Sequence, residues 1–590
     1  MKIQLAPVFT DHAVFQSEKP IHIWGTITDT ESAKNMSLPR ISILFTPEAL
    51  PTSDTLSNQI ENSGVSDCSR IPAKVNPDQN SFSAMLPPME AGGPYTLTLF
   101  MEDTPVQTIG DIMIGEVWLA GGQSNMEYEL QNDADAREYF SKRRDNSELH
   151  SPIKGSVASD SAFCDDTYCP NTTIPELSCN VRFYQVPRRA YFDESLPESA
   201  PNEHWMTTSD SGLGSWSAVA YYFARELSEK LNCTIGIIGC NWGGTSACAW
   251  QSRESLLLHP DTAVYWKEYE EILQRQTPEE YEHSRQEYLA YQEKWQPMIN
   301  EFYEKNPSGA WEDALRYAGP CLWPGPMGPK HEFRPAGLYE TMLRKVTPYS
   351  LKGFLYYQGE SDDHRPSSYL TLLRSMIAQW RKDFMDESLT FLNVQLPMHR
   401  YKGDPASDSW AVIRAAQEQV WREDPNSGLA VIIDQGEFDN IHPTHKKEVG
   451  HRLYLQSMLH PYHLMSEDET TGPFLQSAIY HENSHIIELH FEHLAGGFDR
   501  KKYQDQIESF NSIPFDPSSV FEYSDTADTF RPLTPEWSED NQRILLTLPD
   551  APKGDITLRY LWVNYGPVPI FDQRGLPLAP FQICIPLSED

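Results

Sequence analysis

The sequence predicts an α/β protein whose mostly parallel sheet is flanked by β regions at both ends of the chain. In the middle of the chain, short apolar runs alternate with stretches of helical spacing such as SAVAYYFARELSEKL; the apolar runs include EVWLA, TIGIIGC, KGFLYY, LTFLNVQL and LAVIID. This alternation is typical of parallel strands with helices on both faces of the sheet. Towards both ends, alternating runs such as PIHIWGTI and HIIELHF, separated by polar connections, indicate antiparallel strands instead.

A chain of 590 residues is too long for one hydrophobic core, so we expect several packed units. We place an N-terminal β domain at 1–113, an α/β domain at 114–470 and a C-terminal β region at 471–590. The middle domain carries insertions at about 131–180 and 261–335. In the second insertion, WKEYEEILQRQTPEEYEHSRQEYLAYQEKW fits amphipathic helices joined near Thr277 and Pro278. Its Tyr and Trp side chains are expected to pack against each other rather than to form a binding platform.

The composition argues against several classes of partner. The chain has 47 basic and 84 acidic residues, and the resulting net charge of -37 repels nucleic acid and anionic lipid surfaces. We find no apolar run long enough to span a membrane, and the start, MKIQLAPVFTDHAVFQ, lacks the apolar stretch of a secretory leader. These features predict a cytoplasmic protein that binds neither nucleic acid nor membrane. Cys164, Cys169 and Cys179 cluster without the CxxC or HxxxH pairs that complete a zinc set, so we also expect no metal.

The first candidate catalytic group is Ser124, in Gly121-Gly122-Gln123-Ser124 at the end of the first strand of the middle domain. Glycine permits a tight turn that exposes the Ser hydroxyl at the carboxyl end of the sheet, with its own backbone N–H free to bind an oxyanion. A Ser that only caps the following helix is the alternative, and by itself the more common one.

The second candidate pair is Asp439 and His442, in the DNIHP segment that follows the strand LAVIID. On one loop, the Asp can orient the imidazole while the other ring nitrogen takes the Ser proton. Taken alone, a loop His beside an Asp is more often a surface contact.

Two further segments follow strands of the same domain. Gly243 and Gly244, after IGIIGC, could present a backbone N–H to a developing negative charge, or could form a plain turn. Gln358, after the strand KGFL, could supply a second oxyanion donor. Glu360 is interpreted as an acceptor that fixes backbone geometry, with an acid role in a triad as the alternative.

These segments, read as GEVWLAGGQSNME, NWGGTSACAW, GFLYYQGESD and DNIHPTHKKEVGHRL, resemble the sialate O-acetylesterase branch of the SGNH (GDSL-like) hydrolases. They occur in the same order as in that family. LAPVFTDHAVFQ, IHIWG, LPPMEAGGPYTL, RAAQ at 414–417 and GLPLAPF extend the resemblance over nearly the whole chain.

The resemblance implies a three-layer α/β/α domain of SGNH (flavodoxin-like) type, flanked by β-sandwich-like regions. It places the nucleophile on Ser124 and the catalytic pair on Asp439 and His442. It also implies oxyanion donors at the Ser124 backbone, at Gly243 or Gly244, and at Gln358, where many members of the superfamily have Asn. The remaining residues expected to contact these groups or the substrate are Gln123, Asn125, Glu360 and Arg414.

The implied activity is hydrolysis of acetyl esters on sugars, most of all on sialic acid, without a cofactor. Acetylated xylan or mannan oligosaccharides offer the same ester and remain an alternative substrate. Arg400, Arg365 or Arg414 could bind a sialate carboxylate, although a structural ion pair is the more common role of each. A non-catalytic carbohydrate-binding protein on an esterase scaffold, and a lipase or thioesterase, are the other classes. The expected partner is an acetylated sugar, and the sequence leaves a homo-oligomer open.

Overall fold

The computed structural model describes residues 2–28, 39–48, 70–141, 180–193, 203–306, 311–405, 407–510, 520–526 and 529–587. The cysteine cluster of Cys164, Cys169 and Cys179, and most of the first predicted insertion, lie outside the described residues. The chain has a mixed α/β fold with several sheets, as the sequence predicts at that level.

The N-terminal part is made of strands. They are β1 (Lys2–Leu5), β2 (Val14–Gln16), β3 (Ile21–Thr28), β4 (Ile41–Pro47), β5 (Ile71–Pro72), β6 (Lys74–Asn76), β7 (Ser81–Leu86), β8 (Gly92–Met101) and β9 (Thr104–Gly122). β1, β3, β7 and β6 form one antiparallel sheet. β9 pairs with β8 and β2 and continues into the central sheet, so the predicted boundary at residue 113 falls inside an unbroken strand.

The central sheet has the order β11-β10-β12-β9-β13-β14-β15. Its further strands are β10 (Val181–Gln185), β11 (Met206–Thr207), β12 (Ile235–Asn241), β13 (Gly353–Tyr357), β14 (Thr390–Gln395) and β15 (Ser427–Val431). All pairs are parallel except β11 with β10. β12 to β15 are buried along their whole length, because a parallel strand covered on both faces carries apolar residues almost continuously.

Helices contact both faces of this sheet. The helices of the middle part are α1 (Ser124–Glu127), α2 (Ala218–Leu231), α3 (Arg253–Leu256), α4 (Pro260–Gln274), α5 (Pro278–Lys305), α6 (Trp311–Ala318), α7 (Arg344–Val346), α8 (Tyr369–Asp383), α9 (Ser409–Glu423) and α10 (Lys447–Leu459). On β9, Trp118 packs against Phe223 of α2. Gly121, three residues on and therefore on the opposite face, lies against Trp380 of α8.

The helices predicted in the second insertion are confirmed. α4 and α5 are separated near Thr277, whose hydroxyl accepts from the Glu280 N–H while the Glu280 carboxylate accepts from the Thr277 N–H. This reciprocal cap, with Pro278 as the first helical residue, fixes the start of α5.

In its described residues, the C-terminal part contains α11 (Glu467–Thr470), α12 (Arg500–Phe510) and eight strands. The strands are β16 (Phe474–His481), β17 (Ile486–Glu492), β18 (Phe521–Ser524), β19 (Arg531–Leu533), β20 (Pro535–Trp537), β21 (Arg543–Thr547), β22 (Ile556–Tyr560) and β23 (Phe581–Ile585). They form two four-stranded antiparallel sheets whose buried residues share one core cluster, so the predicted strands HIIELHF, RILLTL and ITLRYLWV are confirmed. In the described parts of the chain, no helix has the length and apolar character needed to cross a membrane.

Candidate active site

Ser124 is the first residue of α1 and directly follows the central strand β9. The turn that exposes it depends on Gly122, whose φ is +135° and where a Cβ would lie 2.2 Å from the carbonyl oxygen of Tyr357. Ser124 Oγ lies 2.8 Å from His442 Nε2, within hydrogen-bond distance. Residues 318 positions apart in the chain therefore meet at the carboxyl end of the parallel sheet.

The loop that carries His442 is held by its own side chains. Asn440 Oδ1 accepts from the His442 N–H, and Asn440 Nδ2 donates to the His442 carbonyl and to Glu437 Oε2. Glu437 Oε1 accepts from the N–H and hydroxyl of Thr444. These bonds fix the backbone on both sides of the imidazole.

The protonation state of the His442 imidazole follows from its surroundings. Burial, together with the nearby charges of Lys446 and His399, lowers the pKa of His442 to about 4. At pH 7 the ring is therefore neutral, and its Nε2 is free to accept the Ser124 proton.

Asn125 joins the nucleophile segment to the histidine loop. Its buried side chain donates to the Ile441 carbonyl at 2.9 Å and to Glu360 Oε1 at 2.6 Å, while its Oδ1 accepts from Lys446 Nζ at 2.6 Å. Asn125 follows Ser124 and Ile441 precedes His442, so this side chain links the neighbours of the two reacting groups directly.

Asp439 does not reach the imidazole. It has φ +62° in an exposed turn, its N–H donates to the Arg400 carbonyl, and its Oδ1 accepts from the Lys402 N–H at 2.9 Å. The structure, which describes this loop completely, has no hydrogen bond between Asp439 and His442. The left-handed turn directs the carboxylate to the Arg400 to Lys402 segment, which corrects the geometry expected for a Ser-His-Asp triad.

Gln358 is not placed as an oxyanion donor. Its side chain is fully buried, and its amide nitrogen donates to the Thr245 carbonyl at 3.2 Å and to Asp362 Oδ2 at 2.7 Å. Its amide oxygen accepts from the Tyr369 hydroxyl. Both amide hydrogens are already used, so Gln358 holds the surrounding loops together through these hydrogen bonds.

The backbone N–H groups of Gly243 and Gly244 differ in whether they are free to bind an oxyanion. Gly243 lies against Ser124, since a Cβ there would be 3.2 Å from Ser124 Cβ, but its N–H donates to Glu127 Oε2 at 2.6 Å. Within the described chain, the backbone N–H groups of Ser124 and Gly244 have no hydrogen-bond acceptor. These two groups are the better candidates for binding an oxyanion.

Comparison with known proteins shows which proteins this chain resembles. A family model described as "Carbohydrate esterase, sialic acid-specific acetylesterase" matches residues 328–459. The sialate O-acetylesterase of Mus musculus is 26% identical over 415 residues, covering 65% of this chain and 63% of its own. The chain is a relative of the sialate O-acetylesterases. The Homo sapiens enzyme is 23% identical over 410 residues, covering 65% of this chain and 60% of its own. The chain thus spans less than two thirds of the length of these relatives.

A solved structure agrees with this relationship at the level of the fold. The crystal structure of a carbohydrate acetylesterase from Xanthomonas citri superposes with a TM-score of 0.66 at 22% identity and covers 99% of both chains.

The remaining residues predicted near the site have structural contacts. Gln123 Oε1 accepts from the Ser361 N–H, and Glu360 Oε1 accepts from Asn125, while its buried Oε2 has no partner among the described residues. Arg414 is fully buried in α9 and donates to the carbonyls of Pro397 and Val563, so the structure does not place it where a substrate would bind.

The other two candidate arginines, Arg365 and Arg400, differ in whether a carboxylate pairs with them. Arg365 is paired with Glu268 at 2.7 Å. Arg400 has no carboxylate partner among the described residues and lies over the Phe438 ring beside the histidine loop. Arg414 also lacks a carboxylate partner among the described residues but is fully buried, so Arg400 is the unpaired arginine of the three that is only half-buried.

Lys446 is a residue of the site that the sequence analysis missed. It is fully buried, its ammonium lies over the Tyr128 and Tyr357 rings, and burial lowers the pKa of Lys446 to about 7. Helical spacing could have revealed it, since Lys446 precedes the buried Val449 and Leu453 by three and seven positions and so shares their face.

Proposed function

We propose that this protein is a carbohydrate O-acetylesterase in which Ser124 is the nucleophile and His442 the general base. The observation that carries the proposal is the 2.8 Å distance between Ser124 Oγ and a buried imidazole whose lowered pKa keeps it neutral. The relationship to sialate O-acetylesterases supports the choice of an acetyl ester.

The proposed reaction has two halves. Ser124 Oγ attacks the acetyl carbonyl and gives its proton to His442 Nε2, while the N–H groups of Ser124 and Gly244 stabilise the oxyanion. His442 then protonates the departing sugar oxygen, which leaves an acetyl-Ser124 ester. In the second half, water attacks this ester and gives a proton to His442, which then returns the proton to Ser124 Oγ as acetate is released.

We propose no cofactor, because each of these steps uses only groups of the chain. The part of the chain that the structure describes holds no cluster of three His, Cys, Asp or Glu side chains that could bind a metal.

The proposed substrate is an O-acetylated sialic acid, with acetylated xylan or mannan oligosaccharides as the alternative. Arg400 favours the first, because an unpaired guanidinium next to the histidine loop could bind the sialate carboxylate. Acetate release from O-acetylated sialic acids and from acetylated xylo-oligosaccharides, measured side by side, decides between them.

The architecture proposed with this function is a three-layer α/β/α SGNH-type domain at 114–470, flanked by β-sandwich-like regions at 1–113 and 471–590. The helices on both faces of β9 support it. We retain a cytoplasmic location as a prediction from the composition, to be tested by fractionation of cells that express the protein.

The test is hydrolysis of 4-nitrophenyl acetate by the purified protein. Ser124→Ala and His442→Ala should each lower kcat by at least about 10³-fold, as expected for loss of a nucleophile or its base. Wild-type turnover by Ser124→Ala would overturn the proposal.

A further inference from the structure

A pair of aromatic rings lies beside the nucleophile and has no role in the reaction as described. Trp323 and Phe333 meet edge to face with ring centroids 5.5 Å apart. A Cβ at Gly244 would lie 2.7 Å from Phe333 Cζ and 3.0 Å from Trp323 Cζ2. Gly243, next to it, contacts Ser124, so this diglycine lies between the aromatic pair and Ser124.

The Trp323 side chain is open to solvent, which is unusual for the largest apolar side chain. It is 56% exposed, whereas Trp118, Trp205, Trp216, Trp250 and Trp380 are fully buried. Exposure of a large ring next to a reactive group is a feature of ligand sites, which combine aromatic walls with a few polar groups.

Helix α5 holds the segment that carries these rings. Tyr291 donates its hydroxyl to the Pro320 carbonyl at 2.7 Å, and the Trp295 indole donates to the Gly319 carbonyl at 3.0 Å. The Tyr288 ring packs against Gly325, where a Cβ would lie 2.6 Å from it. These aromatic residues of α5 therefore pack, as the sequence predicts, and this packing fixes the position of Trp323.

We propose that Trp323 and Phe333 form a sugar subsite, on which the apolar C–H face of the acetylated pyranose stacks while its ester reaches Ser124. This inference rests on the proposed function. Neither ring touches Ser124 or His442 in any described contact, so the subsite determines which esters are bound and leaves the chemical steps unchanged. An aryl acetate, which carries its own small ring and no pyranose, does not need it.

The experiment compares kcat/KM for peracetylated glucose and for 4-nitrophenyl acetate, and uses the ratio of the two. Trp323→Ala should lower this ratio about tenfold, which corresponds to the loss of roughly 55 Å² of apolar contact at about 25 cal/mol per Å². Trp323→Phe, which keeps a stacking ring, should restore most of the ratio. Phe333→Leu should lower it by a smaller factor.

Ile479→Ala is the matched control, because Ile479 is an exposed apolar side chain (46%) on the C-terminal sheet. It should leave the ratio unchanged. If Trp323→Ala leaves the ratio within twofold of wild type while aryl acetate turnover still depends on Ser124, the subsite is refuted and the proposed function stands. If the wild-type protein hydrolyses no acetylated sugar, both proposals are refuted.

Discussion

Replacement of Asn125 by Ala tests whether one buried amide keeps the proposed nucleophile Ser124 and the proposed base His442 at hydrogen-bond distance. The side chain makes three hydrogen bonds, to Glu360, Lys446 and the Ile441 carbonyl. Among the described contacts, its oxygen is the one hydrogen-bond acceptor of the Lys446 ammonium, and its nitrogen is the one donor to the Glu360 side chain.

The size of the effect follows from these contacts. Each buried polar group left without a partner costs about 1–3 kcal/mol, so three such groups should lower the free energy of unfolding by about 3–5 kcal/mol once water partly fills the gap. The Ile441 carbonyl also loses its link to the residue after Ser124. A displacement of about 1 Å between reacting groups typically costs about 10²-fold in rate. We expect kcat to fall 10-fold to 10²-fold, with KM little changed because Asn125 is buried behind the site.

The assay needs a control that separates stability from positioning. Gln456→Ala removes another buried amide with three hydrogen bonds, to the Leu429 N–H, the Thr470 carbonyl and the Thr471 hydroxyl. None of these partners belongs to the site. Thermal unfolding and 4-nitrophenyl acetate kinetics should show both variants destabilised and only Asn125→Ala with a reduced kcat. A kcat for folded Asn125→Ala within threefold of that for Gln456→Ala would refute the positioning role.

Three further outcomes follow from the site. The pH profile of kcat/KM should fall on the acid side through about pH 4, well below the usual value near 6.5, because activity requires neutral His442 and is lost as the ring is protonated; an acid limb near 6.5 would contradict the burial argument. Asp439→Asn should reduce kcat less than about tenfold, since the carboxylate contacts Lys402 N–H instead of the imidazole, whereas loss of a true triad Asp costs about 10⁴-fold. Gln358→Met should lower the unfolding temperature but leave kcat per folded molecule within threefold, and a loss of 10²-fold or more would restore it as an oxyanion donor.

The sequence predicts the strands well where burial is uniform and poorly where it changes along one strand. β12 to β15 are apolar throughout and stand out as continuous runs. β9 is largely exposed from Thr104 to Thr108 and fully buried from Gly115 to Gly122. Because the burial pattern changes within this one strand, the sequence predicts a boundary there, with one unit ending and another beginning.

The residues of the site also differ in how well the sequence predicts their positions. The meeting of Ser124 and His442 can be predicted from sequence, because a glycine turn and a loop follow two strands whose carboxyl ends lie at the same sheet edge. The direction of the Asp439 side chain cannot, because it depends on a positive φ that the letters DNIH do not encode. Gln358 follows the same kind of strand end as Ser124, and only the packing of Thr245, Asp362 and Tyr369 around it shows that its amide is already used.

Covalent labelling tests the meeting of Ser124 and His442 most directly. The protein is treated with a fluorophosphonate at pH 7, and the modified peptide is located by mass spectrometry. We expect one phosphonate on Ser124, formed at least about 10²-fold more slowly in His442→Ala, because the hydroxyl is then left without its base. A label on another residue, or an unchanged labelling rate in His442→Ala, would contradict the account.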